Sequence, residues 1–148
     1  MKIAIGCDHG GYLLKQDILI WLEEHNIDFE DVGCYSTESV DYPMYGEKVG
    51  RMVASGQCDK GIVICTTGIG ISIAANKVQG IRCAHCADSV EAEMTRRHNN
   101  ANVLCLGGLV TEEKTALEIV DTFLKFDFEG GRHQRRIDQI ADIENGRL

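Results

Sequence analysis

The sequence has one proline, few aromatic residues and no long apolar run. Aromatic side chains make up 6% of its 148 residues. The apolar runs are only a few residues long, whereas a membrane-spanning helix needs roughly 20 apolar residues. The N-terminus enters a strand pattern at Ile3 without the organisation of a signal peptide. We therefore expect no membrane partner and no export signal.

The sequence also lacks an excess of positive charge. It has 15 Lys and Arg against 23 Asp and Glu, which gives a net charge of −8. Nucleic-acid binding needs a basic face, so we expect no nucleic-acid partner. A local basic group can still hold a small anion. The densest such group is Arg132, His133, Arg135 and Arg136.

Regular cysteine spacing is absent as well. Seven cysteines form an odd set, and several lie in apolar runs, where cysteine behaves as a small hydrophobe. This usage favours a reducing cytoplasm and argues against a disulfide framework. Cys83 and Cys86 have the C-x-x-C spacing of redox and zinc sites. They fall in a predicted strand, where residues three apart point to opposite faces, so we predict no shared metal or disulfide.

Strand and helix patterns alternate along residues 1–148 with no repeat or linker, which predicts one domain. The predicted strands are 3–7, 29–32, 62–65, 81–86 and 103–106. The predicted helices are 12–25, 45–55, 71–77, 89–97, 111–125 and 132–144. This α/β alternation predicts a three-layer αβα sandwich. Its centre would be a Rossmann-like open five-stranded parallel sheet, followed by a C-terminal helix.

In such sheets, ligands bind beyond the carboxyl ends of the strands. That rule places residues 7–11, 65–70 and 107–108 on one rim. Residues 66–70, Thr-Thr-Gly-Ile-Gly, open a predicted helix, and their N–H groups would form an anion-binding nest. A tight strand-to-helix turn is the alternative. The spacing matches neither a P-loop nor a complete dinucleotide fingerprint.

Cys65 lies beside this predicted nest. A thiolate there would be stabilised by the same N–H groups and would serve as a base or a nucleophile. The alternative is a buried packing cysteine, as for several other cysteines in the chain.

Asp8 and two histidines, His9 and His98, are further candidates. Asp8 is either a helix cap or a functional carboxylate, and His9, in a polar turn, is interpreted as functional. His98 ends a predicted helix, where it either interacts with the helix dipole or transfers protons. His25 and His85 are interpreted as structural.

Arg132 and Arg136 are four residues apart, so they share a face of the last predicted helix. Two adjacent guanidinium groups match a phosphate dianion, and a solvated basic turn is the alternative. Together the candidates suit an anionic sugar phosphate, with Cys65 as base and His98 as acid or base. The sequence shows no metal-ligand cluster and no nucleotide motif, so proton transfer without a cofactor is the simplest chemistry.

The chain resembles the family of ribose-5-phosphate isomerase B and the galactose-6-phosphate isomerase subunits. The resemblance runs nearly end to end and rests on residues 6–11, 41–43, 65–77, 97–99 and 130–136. It implies a metal-independent aldose–ketose isomerase of the pentose phosphate pathway. This enzyme would interconvert D-ribose 5-phosphate and D-ribulose 5-phosphate through a cis-enediolate.

The resemblance also implies roles for individual residues. Cys65 would move the proton between C2 and C1, Thr67 would assist transfer between the oxygens, and His98 would open the furanose ring. The implied substrate-binding residues are Asp8, His9, Tyr42, Thr66, Gly68, Ile69, Gly70, Asn99, Arg132 and Arg136. The family further implies a homodimer or a dimer of dimers, with each site built from two chains.

Two positions depart from the family pattern. Thr66 replaces a glycine, and we expect it to keep an ordinary backbone conformation and only to narrow the pocket, because a β-branched residue resists positive φ. Leu109 replaces a phosphate-binding arginine of many members. That change predicts a lower phosphate affinity unless Arg135 or another residue compensates.

Two other functions are considered. An isomerase of allose 6-phosphate or galactose 6-phosphate would use the same groups in a deeper pocket. A non-enzymatic flavodoxin-like binding module is the second, and it would not need Cys65, His98 and the arginine pair together.

Overall fold

A computed structural model describes residues 1–147 of the chain. Its strands are β1 (Lys2–Cys7), β2 (Asp28–Asp31), β3 (Lys60–Cys65), β4 (Cys83–His85) and β5 (Val103–Gly107). Its α-helices are α1 (Tyr12–Glu24), α2 (Pro43–Ala54), α3 (Ile69–Asn76), α4 (Ser89–Met94), α5 (Glu113–Lys125) and α6 (Arg132–Glu144). A 3-10 turn, His9–Gly11, precedes α1, and a π-helical turn, Thr95–Asn99, follows α4. None of the described helices combines the length and apolar character needed to cross a membrane.

The five strands form one parallel sheet in the order β2-β1-β3-β5-β4. The register pairs Cys7 of β1 with Ile64 of β3, and Cys65 of β3 with Gly107 of β5. The carboxyl ends of these three central strands therefore lie side by side at one edge of the sheet. This confirms the predicted rim formed by the segments that follow β1, β3 and β5.

Apolar side chains cover both faces of the sheet, as expected for parallel strands. Ile3 and Ile5 pack on one face with residues of α1 and α5. Ala4, which points the other way, packs with residues of α2 and α3. These two apolar layers give the predicted three-layer αβα sandwich.

The edge strand β4 is shorter than the predicted strand 81–86. Side-chain amides take the place of ladder bonds next to it: Asn102 Oδ1 accepts the Arg82 N–H at 2.8 Å, and Asn76 Oδ1 accepts the Cys83 N–H at 2.8 Å. The apolar run predicted a longer strand because these amides lie outside the run, at positions 76 and 102.

Several helix boundaries differ from the predictions by one to three residues, and three of them show why. Helix α2 begins at Pro43, two residues early, because proline suits the first helical position. Helix α3 begins at Ile69, directly after Gly68, whose φ of +85° completes the turn. Helix α4 ends at Met94, and the predicted segment continues as the π-helical turn until Asn100, where φ is +46°.

A fully buried ammonium group joins α1 to the end of β2 and to the segment that follows it. Lys15 Nζ donates to Asp31 Oδ1 and to the carbonyl oxygen of Cys34, both at 2.6 Å. Lys15 is 0% exposed, so this pair of bonds satisfies a charge that burial would otherwise make costly. The sequence analysis did not identify Lys15.

Candidate active site

Backbone hydrogen bonds hold the three rim segments together. The Asp8 N–H donates to the carbonyl of Ile64 at 3.1 Å, and the Gly108 N–H donates to the carbonyl of Cys65 at 2.8 Å. A Cβ on Gly108 would overlap the carbonyl oxygen of Gly10. The first and third segments therefore touch directly and flank the end of β3.

Cys65 is the last residue of β3 and is 5% exposed. Its Sγ accepts a hydrogen bond from the Gly68 N–H at 3.2 Å. The Gly68 N–H therefore points at the sulfur from the start of α3. The environment of Cys65 therefore differs from that of a cysteine that only fills space.

The loop after Cys65 presents N–H groups at the start of α3. The Ile69 N–H donates to Thr67 Oγ1 at 3.2 Å, and the N–H groups of Gly70 and Ile71 have no acceptor among residues 1–147. Unpaired N–H groups at a helix start attract negative charge. The loop thus has the properties of the predicted anion-binding nest.

Thr66 keeps an ordinary backbone conformation. Within the described chain, the non-glycine residues with positive φ are Asn26 and Asn100. A Cβ on Gly10 would overlap Thr66 Oγ1, so the threonine side chain lies against the first rim segment. The expectation that Thr66 avoids backbone strain is confirmed.

Asp8 and His9 are both held by local hydrogen bonds. Asp8 is buried, and its Oδ1 accepts the Gly10 N–H at 2.9 Å, so it caps the 3-10 turn. His9 Nδ1 accepts the Val40 N–H at 3.1 Å, which leaves Nε2 of His9 as the ring nitrogen that carries the proton. Asp8 therefore caps the 3-10 turn, whether or not it also contacts a ligand. His9 presents its Nε2–H as an oriented hydrogen-bond donor.

Tyr42 also reaches the nest. It precedes α2, and a Cβ on Gly70 would lie 2.6 Å from Tyr42 Cζ. Only a glycine at position 70 allows the phenol ring to lie against the start of α3. The structure thus brings Asp8, His9, Tyr42 and the loop from Cys65 to Gly70 to one rim.

The predicted residues His98, Asn99, Arg132 and Arg136 form a second group, around the π-helical turn and the start of α6. The His98 ring stacks on that of His133 with a centroid distance of 4.2 Å. Arg132 and Arg136 are exposed, and no carboxylate within residues 1–147 pairs with either. Both guanidinium groups are available to an anion.

Charge around this second group favours an anion over a metal ion. Ligand atoms of His98, Glu129 and His133 lie within 4.8 Å of one another, a spacing that a metal ion can bridge. However, Arg97 Nε donates to Glu129 Oε1 at 2.5 Å, which lowers the pKa of Glu129 and occupies its carboxylate. Burial, followed by His98 and Arg132, lowers the pKa of His133. These neighbouring cations oppose a divalent ion.

No hydrogen bond or ion pair within the described chain joins the two groups. His85 lies between them, a residue that the sequence analysis interpreted as structural. It is exposed, and a Cβ on Gly68 would lie 2.7 Å from His85 Nε2. His85 also lines a cavity of about 820 Å³ together with Asn99. The structure thus places His85 at the carboxyl end of β4, exposed and against Gly68, and its interpretation as a structural residue stays a prediction.

Leu109, on the rim after β5, is 76% exposed. Its N–H donates to the carbonyl of Thr66 at 2.9 Å. The side chain supplies no charge where the resemblance led us to expect a cation.

Residues 3–140 match the sequence profile described as Ribose/Galactose Isomerase. The chain belongs to the ribose/galactose isomerase family. A member from Escherichia coli (strain K12) named ribose-5-phosphate isomerase B is 47% identical over 146 residues, which cover 99% of this chain and 98% of that protein. A protein from Listeria innocua named ribose-5-P isomerase B is 46% identical over 144 residues and 97% of each chain.

Solved structures of this isomerase family share the fold. The ribose-5-phosphate isomerase B of Clostridium thermocellum superposes with a TM-score of 0.98 at 54% identity over 100% of both chains. The protein of Mycoplasma genitalium with bound ribulose-5-phosphate superposes with a TM-score of 0.93 at 42% identity, over 97% of this chain and 96% of that one. The part matched by the family profile contains every candidate site residue, from Asp8 to Arg136.

Proposed function

We propose that the chain is a ribose-5-phosphate isomerase that interconverts D-ribose 5-phosphate and D-ribulose 5-phosphate without a metal. One observation carries the proposal: the Cys65 sulfur accepts the Gly68 N–H at 3.2 Å, beside the unpaired N–H groups that begin α3. A base and an anion-stabilising nest thus lie next to each other. Relatives named ribose-5-phosphate isomerase B at 46–47% identity support the substrate.

Proton transfer between neighbouring carbons is the central step. The Cys65 thiolate removes the proton from C2 of the open-chain aldose and returns it to C1. Thr67, whose hydroxyl lies at the nest, moves a proton between O1 and O2. The intermediate is a cis-enediolate, and the N–H groups of residues 66–70 stabilise its charge, which is usually the largest catalytic contribution.

His98 acts before this step. Ribose 5-phosphate is mainly a furanose, so its ring must open before C2 becomes acidic. An imidazole changes protonation near neutral pH and is suited to that transfer. Asp8, Tyr42 and Asn99 would contact the sugar hydroxyl groups.

The phosphate would lie on His9, Arg132 and Arg136. The free guanidinium groups of α6 and the oriented Nε2–H of His9 are donors that match phosphate oxygens. His9 lies on the rim, whereas the arginines belong to the second group.

We infer that each site is composed of two chains in a homodimer or a dimer of dimers. The rim of one protomer would supply Cys65, and the second group of its partner would supply His98 and the arginines. The separation of the two groups within one chain supports this arrangement.

Residues 1–148 would form a single isomerase domain. The seven free thiols are in keeping with a reducing cytoplasm.

A coupled spectrophotometric assay tests the proposal with ribose 5-phosphate and allose 6-phosphate, each with and without EDTA. We expect turnover of ribose 5-phosphate at a higher kcat/KM than allose 6-phosphate, unchanged by the chelator. A preference for the six-carbon sugar would identify the alternative isomerase. Turnover of neither sugar would contradict the enzyme assignment and favour a binding module.

A further inference from the structure

The loop between β2 and α2 is held at its start by a buried lysine. This segment, residues 33–42, contains no helix or strand and is called the β2–α2 loop. Lys15 of α1 is 0% exposed, and its Nζ donates to Asp31 Oδ1 and to the Cys34 carbonyl oxygen, both at 2.6 Å. Asp31 Oδ1 also accepts the Gly33 N–H at 3.0 Å. The ammonium group therefore fixes the point at which the loop begins.

The same point is joined to the end of β1. The Cys7 N–H donates to the Gly33 carbonyl at 2.7 Å, and the Cys34 N–H donates to the Cys7 carbonyl at 2.8 Å. The ring of Tyr35 lies 5.1 Å from Lys15 Nζ, measured to the ring centroid, a distance at which an aromatic ring attracts a cation. Backbone and side-chain contacts thus hold the start of the β2–α2 loop against the first rim segment.

The later part of the loop orients His9. The Val40 N–H donates to His9 Nδ1 at 3.1 Å, so the ring proton lies on Nε2. Val40 is half-buried and packs against the apolar layer that contains Cys34. Two residues further along the chain, the ring of Tyr42 lies against Gly70 at the start of α3. One loop thus connects a buried anchor to two side chains of the rim.

The ammonium group of Lys15 is buried, so it cannot touch a substrate directly. Without it, the Cys34 carbonyl and the Asp31 carboxylate lose a partner in largely buried surroundings. An unpaired buried polar group costs free energy, which favours movement of the loop start toward water. We expect this movement to release Val40 and to let the His9 ring turn.

We propose that Lys15 is a positioning residue that acts through the β2–α2 loop and holds His9 with its Nε2–H toward the phosphate of the substrate. The inference rests on the proposed function, in which His9 binds that phosphate. A neutral imidazole carries one ring proton, so His9 donates from Nε2 when Nδ1 accepts the Val40 N–H. The expected effect is therefore on phosphate binding and not on proton transfer by Cys65.

NMR of the protein without substrate tests the effect of Lys15 on the loop. The variant Lys15→Met keeps the apolar stem and removes the ammonium group. We expect its Val40 amide to exchange with D₂O at least about tenfold faster than in the wild type, because the loop opens more readily. Nitrogen-15 spectra of the neutral His9 ring should show the Nε2–H form alone in the wild type and both forms in Lys15→Met. An unchanged exchange rate or an unchanged ring signal would overturn the proposal.

Phosphate binding tests the consequence for the site. Titration calorimetry with inorganic phosphate should give a Kd about tenfold higher for Lys15→Met, since a hydrogen bond to a charged group contributes at least this much. KM for ribose 5-phosphate should rise by a similar factor, with kcat within about threefold of the wild type. The control Ile119→Ala removes a buried side chain of α5 in the same apolar layer, and it should lose stability without a change in Kd. If Lys15→Met does not fold, its combination with Asp31→Asn, which leaves no charge of this pair without a partner, carries the same measurements.

The variant His9→Leu has no imidazole to orient, so it separates a role through His9 from a general one. Adding Lys15→Met to it should change the Kd of phosphate by less than about twofold, because residues that act as one unit are not additive. Equal increases with and without His9 would overturn the proposal, and so would an unchanged Kd in Lys15→Met. Failure of the proposed function looks different: the wild type would not convert ribose 5-phosphate, while amide exchange and the His9 ring signals would still report on Lys15.

Discussion

The sulfur of Cys65 accepts the backbone N–H of Gly68, the residue at which the chain turns into α3. Cys7 and Cys86 lie in apolar surroundings, and burial raises the pKa of each to about 12. Those thiols stay protonated and only pack. Sequence alone left packing and catalysis open for Cys65, because both kinds of cysteine follow an apolar run. The contact that distinguishes them depends on the turn at Gly68, which a residue pattern does not specify.

Replacing Cys65 with alanine should abolish isomerisation while sugar phosphate still binds. We expect kcat to fall by about 10³-fold or more, since the base that transfers the proton is lost. Titration calorimetry should show ribose 5-phosphate binding within about threefold of the wild type. The matched control is Cys58→Ala, which removes a buried thiol that is 2% exposed, and it should retain activity. Full activity in Cys65→Ala would refute the role of the base.

Replacing Gly68 with alanine should destabilise the protein more than the same change at Gly56. Both residues have positive φ, +85° and +82°, so each alanine costs about 1–2 kcal/mol in backbone strain. A Cβ at Gly68 would also lie 2.7 Å from His85 Nε2 and 3.0 Å from the Leu106 carbonyl carbon, whereas Gly56 has nothing within 4 Å. Urea denaturation of the two variants measures the difference. Equal losses would show that the contacts around Gly68 are unimportant.

At the scale of elements, the start of α6 gathers the free arginines. Arg132→Ala and Arg136→Ala should each raise KM for ribose 5-phosphate about tenfold with little change in kcat, as expected when ground-state binding is removed. Inorganic phosphate should inhibit both variants more weakly. The control Arg51→Ala removes an exposed arginine of α2 that pairs with Glu47. An unchanged KM in both α6 variants would count against the phosphate site.

The stacked pair between the π-helical turn and α6 should also make stability depend on pH. The pKa of His133 is lower in the folded protein than its ordinary value near 6.5. Between these two values the unfolded chain binds more protons, so stability falls as the pH drops below about 6.5. In His133→Phe this part of the pH dependence should disappear. Melting temperatures measured from pH 8 to pH 5 test it, and parallel curves for the two proteins would contradict it.

Most elements follow from the sequence because strands and helices alternate with clear apolar periodicity. The misplaced boundaries lie where distant or local side chains intervene, such as Asn102 beside β4 and Pro43 at the start of α2. The candidate site likewise contains residues whose place the sequence predicts and residues whose place it does not. The rim residues were predictable from the rule for parallel strands, but the stack of His98 on His133 joins segments 35 positions apart along the chain. Neither spacing nor composition indicates such a pairing.

At the scale of the molecule, two inactive variants should restore activity to each other if each site uses two chains. Cys65→Ala damages the rim, and His98→Asn damages the second group. After mixing 1:1 with subunit exchange, half of the dimers are mixed, and each mixed dimer has one intact site. Activity should therefore approach about a quarter of the wild-type value.

The same mixture also has a contradicting outcome. If both groups of a site came from one chain, every site in the mixture would carry a defect, and no activity would return. Sedimentation of the wild type gives the oligomeric state independently, and a monomer would exclude composite sites. A mixture of Cys65→Ala with Cys65→Ser serves as the control, because neither variant can supply an intact rim.

Both open edges of the sheet are short. The outer strand β4 has three residues, and β2, at the opposite edge, has four with the sequence Asp-Phe-Glu-Asp. Unpaired strand edges are templates on which other chains add strands and aggregate, and short or charged edges prevent this. Glu30 of β2 pairs with Lys2 and Asp31 with Lys15, so the short length of the edge matters more than its charge. The short edge strands β2 and β4 therefore leave little backbone on which another chain could add a strand.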